Sequence, residues 1–123
     1  MSQPPAELAE LAARLERALT EELGRTPALP NPEGWQITEV APRFFQIWRV
    51  LVSLRAADRT IGFLLSPTDP NERAYRRTPR FDFVYFSEDV PDHEQDRIYR
   101  RDRATIDRFA AWLDDWDRRT RGA

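Results

Sequence analysis

The sequence predicts an α+β domain, with a mainly antiparallel sheet of about four strands packed by N- and C-terminal amphipathic helices and a short helix before the last strand. Three observations lead there. Leucines recur at spacings of three and four near the start, apolar residues alternate through the middle, and a second helical pattern closes the chain. One core suffices for 123 residues, because a chain of this size buries about two thirds of its unfolded surface. Residues 1–123 are therefore read as one domain, with frayed ends at 1–4 and 120–123.

The first element is a helix over 5–23, "AELAELAARLERALTEELG", in which Leu8, Leu11, Leu15, Leu19 and Leu23 form one stripe. Glu10 with Arg14 and Arg17 with Glu21 are spaced for ion pairs one turn apart, and Gly24 stands where a C-terminal cap belongs. "RTPALPNPEG" holds three prolines and a closing glycine and reads as an ordered linker. "WQITEVA" alternates as a strand, with Trp35 and Ile37 on one face. Beyond Pro42, residues 44–55 read as a second strand with Trp48, Val50, Val52 and Leu54 on one side. Its other side, from Ile47 and Arg49 to Arg55, is mixed and expected to be partly covered. "AADR" turns the chain into "TIGFLLS", where Ile61, Phe63 and Leu65 alternate, and the two strands make a hairpin.

In "PTDPNERAYRRTPR", Asp69 is placed as an N-cap, Pro70 as the first helical residue and Glu72 as the capping-box partner. This predicts one or two helical turns over 70–77, halted before Pro79. The strand "RFDFVYFS" and an acidic loop, "EDVPDHEQD", follow. In the last helix Ile106, Phe109, Ala110, Leu113 and Trp116 share a face with Trp112 at its edge. Asp102 or Asp96 is placed to cap its start, and Arg103 with Asp107, Asp114 with Arg118 and Asp115 with Arg119 are spaced for surface pairs.

Composition narrows the function. Hydrophobic residues are 41% and charged residues 33%, a balance of a globular chain. The net charge of -2 supplies no general field for phosphate backbones. All nineteen basic residues are Arg. The absence of Cys excludes disulfides, thiolate nucleophiles and cysteine-bound metal. The N-terminus has no signal-peptide profile and no apolar run approaches bilayer-spanning length, so the expected location is the cytoplasm.

The run "FDFVYF" resembles the aromatic core of the RNP1 motif of RNA-recognition domains, in which the aromatics matching Phe81 and Phe83 would stack on bases. Arg80 and Asp82 stand at that motif's small positions and Pro79 at its basic one, and the strand is expected to pack under a helix instead. Nucleic acid is accordingly not an expected partner. Glu88, Asp89, Asp92, His93, Glu94 and Asp96 lack the spacing of a calcium loop, and His93 has no second imidazole. No metal or cofactor is expected, and no catalytic residue is assigned, His93 being the one neutral-pH base.

The candidate partner-binding residues are the basic cluster Arg73, Tyr75, Arg76, Arg77 and Arg80, suited to clamping an acidic group, and Trp112 with Trp116 on the last helix. They predict a non-catalytic protein-binding module, acting as an adaptor, specialised chaperone or accessory subunit, whose partner is another chain or its own copy docked through that helix. Size, acidity and element order are similar to specialised secretion chaperones. Two other readings are a small enzyme or ligand-binding domain with a pocket lined by Trp48, Tyr85 and Arg49, and an immunity-type or regulatory protein that neutralises a basic target through its acidic loop.

Overall fold

Within the ten residues Ile47–Ala56, five in succession, Val50 to Leu54, are buried, so this strand is covered on both faces along its middle. The computed structural model describes residues 3–57, 59–67, 76–77, 81–87, 91–94, 97 and 100–121. Helix α1 is Ala6–Glu22, and the strands are β1 Gln36–Phe45, β2 Ile47–Ala56, β3 Arg59–Pro67, β4 Arg76–Arg77 and β5 Phe81–Ser87. A 3-10 turn at Asp92–Glu94 and helix α2, Arg103–Arg121, complete the described elements. The strands make one antiparallel sheet in the order β1-β2-β3-β5-β4, so the chain is an α+β protein with helices toward both ends.

Both helices supply the core on one face of the sheet. Leu15 and Leu19 of α1 and Ile106, Phe109, Trp112, Leu113 and Trp116 of α2 join Val50, Val52, Leu54, Ile61, Phe63, Leu65, Phe81 and Tyr85 in one buried cluster. Phe63 and Phe109 meet with ring centroids 5.2 Å apart, which ties α2 to the sheet. Truncating a side chain as enclosed as Leu15 to Ala costs about 2–5 kcal/mol in such a core. The void between the layers, lined by Leu15, Leu19, Val52, Phe63 and Trp112, is about 10 Å³ and has no room for a ligand.

Several local expectations change. The first hairpin turns at Gln46, whose φ is 67°, so Phe44 and Phe45 end β1 instead of opening β2. β1 continues through Pro42, which pairs with Val50; a proline is tolerated on an edge strand where its nitrogen faces away from the ladder. Arg76 and Arg77, expected in a helical turn, pair with Phe83 and Asp82 as a two-residue strand, which gives their backbone a partner along β5; the rest of 70–75 lies outside the described residues. The far side of β2, expected to be partly covered, is closed at its centre, where Leu51, Ser53, Leu64, Ser66 and Asp82 are buried. Among the described residues no helix is long and apolar enough to cross a membrane.

Candidate functional site

β1 is an edge. It pairs with β2 along one side, and among the described residues no strand pairs with its other side. An unpaired edge presents a row of backbone donors and acceptors that another chain can use. Gln46, in a conformation that non-glycine residues seldom adopt, turns the hairpin so that Phe44 is 61% and Ile47 40% exposed. The Phe44 ring meets Trp48 edge-on at 5.5 Å, and Trp48 is itself half-buried. The open edge thus ends in an apolar tip, with Phe44 on the helix-bearing side of the sheet by its register with Trp48 and Ile47, the residue before Trp48, on the opposite side.

The other side of the same edge is charged. Glu39 and Arg43 form an ion pair there, and Arg43 stands directly across from Arg49. Like charges at opposed positions repel, so Glu39 offsets an unfavourable arginine pair.

A second cluster is buried. Asp102, the residue before α2, accepts a hydrogen bond from the Tyr85 hydroxyl at 2.6 Å and from Arg59 Nη1 at 2.9 Å. Arg101 Nη2 reaches the same carboxylate at 2.9 Å, while the Asp102 carbonyl accepts the Ile106 N–H at 3.0 Å and so opens the helix. Burial, reinforced by the neighbouring Asp102 charge, pushes the Tyr85 hydroxyl well above the usual tyrosine range. The Asp102 hydrogen bond raises Arg101 as well. Arg59 also lies 4.9 Å over the Trp35 ring, and Asn31 clamps Trp35 through its N–H and carbonyl, both at 2.8 Å. Strand β3, strand β5, the linker and α2 are joined at this point. The arrangement holds the fold together; Tyr85 keeps its proton and donates it to a carboxylate that is already shared by two guanidinium groups.

The residues singled out from the sequence fall as follows. Trp112 and Trp116 are 2% and 4% exposed and stack on each other at 5.9 Å. Arg14 covers Trp116 at 5.4 Å and Glu22 accepts the Trp112 Nε1 proton at 3.2 Å. Both rings belong to the core, because α1 lies beside α2 and closes over them. Arg73, Tyr75 and Arg80 lie outside the described residues, and of Arg76 and Arg77 the backbone pairing at the opposite edge of the sheet is described. Of the two aromatics that match the RNP1 positions, Phe81 is buried in the core and not available for base stacking, and the Phe83 side chain lies outside what is described.

Trp48, Arg49 and Tyr85 do not converge. Trp48 and Arg49 are consecutive strand residues that point to opposite faces, and Tyr85 lies in the row of Phe63 and Val52, four residues along β2 from Trp48. His93 is exposed on the 3-10 turn. Among the described residues no three His, Asp or Glu side chains come together as a metal set would require.

The exposed tip went unnoticed in the sequence because "FFQIW" contains neither glycine nor proline and reads as strand throughout. Its signal was the run itself, four large apolar residues around one Gln directly after a proline-marked edge. No family profile, no curated protein and no solved structure matches the chain.

Proposed function

We propose that the protein is a non-catalytic protein-binding module, an adaptor, specialised chaperone or accessory subunit, that takes an extended chain along β1 and anchors it at the Phe44 tip. The observation that carries this reading is the exposure of Phe44 and Ile47 at the end of an edge strand with no described pairing on its outer side. Strand addition supplies main-chain hydrogen bonds to any sequence, while a neighbouring apolar contact supplies preference. The helix-bearing face supports the same reading, since its aromatic residues are already engaged with one another. Arg76 and Arg77 lie at the opposite edge, where they would give an acidic partner a second, charged place to dock.

The test is co-purification from the native host with the wild-type chain and with the double variant Phe44→Ser, Ile47→Ser. Both side chains are exposed, so the variant is expected to keep the wild-type melting temperature and to lose an associated protein seen by mass spectrometry. An associate retained by the folded variant would contradict the assignment of this surface.

A further inference from the structure

The open edge of β1 is self-complementary. Glu39 and Arg43 are four residues apart on one face of the strand. A second copy laid antiparallel and centred on Ala41 therefore brings each Glu39 opposite the Arg43 of the other copy. Opposed charges at such positions favour pairing. Arg43 gains a second carboxylate just where Arg49 of its own chain repels it.

The residue on the two-fold axis is an alanine, and so adds no bulk where the two strands are closest. Val40 lies opposite Pro42 of the other copy, and the outward Val40 N–H can reach that Pro42 carbonyl. Pro42 itself withdraws a donor from the edge. A register irregularity between Ile37 and Glu39 breaks the ladder at its other end. Together they limit the pairing to the segment from Glu39 to Arg43, so the edge closes on one partner and does not accept strands in many registers. Phe44 and Ile37 share the helix-bearing side by their pairing with Trp48 and Leu54. In the two-fold arrangement the exposed Phe44 of one copy comes to lie beside the half-buried Ile37 of the other.

We infer that β1 binds β1 of a second copy about a two-fold axis at Ala41, so that two sheets join into one and Glu39 pairs with Arg43 across the junction. The inference rests on the reading of β1 as the binding edge and names its resting occupant. A client segment would compete with the second copy for the same backbone groups.

Charge exchange tests both edge and register. Glu39→Arg and Arg43→Glu each place like charges opposite one another in a two-fold dimer, whereas a mixture of the two variants restores opposite charges at both positions. By sedimentation velocity, wild type is expected to be dimeric, each variant alone monomeric, and the equimolar mixture dimeric. The chain has no cysteine, so Ala41→Cys provides a second measurement. The close approach of opposed residues in an antiparallel pair suits a disulfide, and oxidation is expected to yield a cross-linked dimer that Ala111→Cys, on the exposed side of α2, does not.

Wild-type protein that remains monomeric up to about 1 mM would overturn the inference. So would folded charge variants that remain dimeric or fail to recover on mixing, or equal cross-linking at positions 41 and 111. If the wild type is monomeric yet captures an associate that Phe44→Ser, Ile47→Ser loses, only the second copy is wrong; if neither association depends on these residues, the binding edge itself is wrong.

Discussion

The Tyr85 hydroxyl donates a 2.6 Å hydrogen bond to Asp102, joining an interior strand of the sheet to the residue just before the closing helix. Both groups are buried. Two arginines share the same carboxylate, so removing either partner affects the fold differently.

Tyr85→Phe leaves Asp102 with both guanidinium groups and is expected to cost about 1.5–3 kcal/mol, the range for a hydrogen bond to a charged group. Asp102→Ala takes one carboxylate from the Tyr85 hydroxyl, Arg59 and Arg101 together and is expected to cost about 3–5 kcal/mol, toward the low end because Arg59 and Arg101 reach solvent. Urea unfolding of both variants checks the order. A milder effect for Asp102→Ala would contradict the shared-carboxylate description.

The same bond gives the protein an alkaline limit. The folded chain holds the Tyr85 proton more tightly than the unfolded chain, in which tyrosine titrates near 10. Below about pH 10 both states keep the proton and the contribution is intact. Above it the unfolded state alone ionises, and stability is expected to fall by up to about 1.4 kcal/mol per pH unit. Tyr85→Phe removes this component, so its stability is expected to decline less steeply above pH 10. Equal slopes for variant and wild type would show that Tyr85 does not set them.

Trp116→Ala is expected to lower stability by about 3–5 kcal/mol, since it removes a buried ring that stacks on Trp112 and carries Arg14. Measured at a temperature where the variant is folded, its mass is expected to match wild type. Loss of association from a fully folded Trp116→Ala protein would return the closing helix to the interface.

Gly24 has φ of 74° and its missing Cβ would lie 3.3 Å from Asn31 Cβ. Gly24→Ala is expected to destabilise by about 1 kcal/mol or more through the left-handed backbone. It also presses on the residue that clamps Trp35, so a change in tryptophan fluorescence is expected alongside the lower melting temperature. An unchanged spectrum would separate Gly24 from the Trp35 clamp.

Periodicity made the two helices and the β2–β3 hairpin legible: α1 spans Ala6–Glu22 against an expected 5–23, and Gly24 takes the positive φ that follows a helix end. The surface pairs of α2 expected from spacing form, with Arg119 Nε 2.8 Å from Asp115. Glu10 with Arg14 and Arg17 with Glu21 show no ion pair among the described residues, in keeping with the few tenths of a kcal/mol such exposed pairs contribute. Trp112 was placed at the edge of its helix face, because a single-helix pattern does not show that α1 covers that edge. The Asp102 cluster joins residues 43 and 17 positions apart, and such distances leave no periodic trace. The exposed tip was hidden by Gln46, whose positive φ has no sequence signal as strong as glycine's.

Amide hydrogen exchange, read residue by residue, reports directly where the folded chain meets another chain. Comparing dilute with concentrated protein, slowed exchange is expected at the outward amide of Val40 in β1, with α2 unchanged. Protection that appears along α2, or a β1 edge that exchanges equally fast in both samples while the mass doubles, would contradict it.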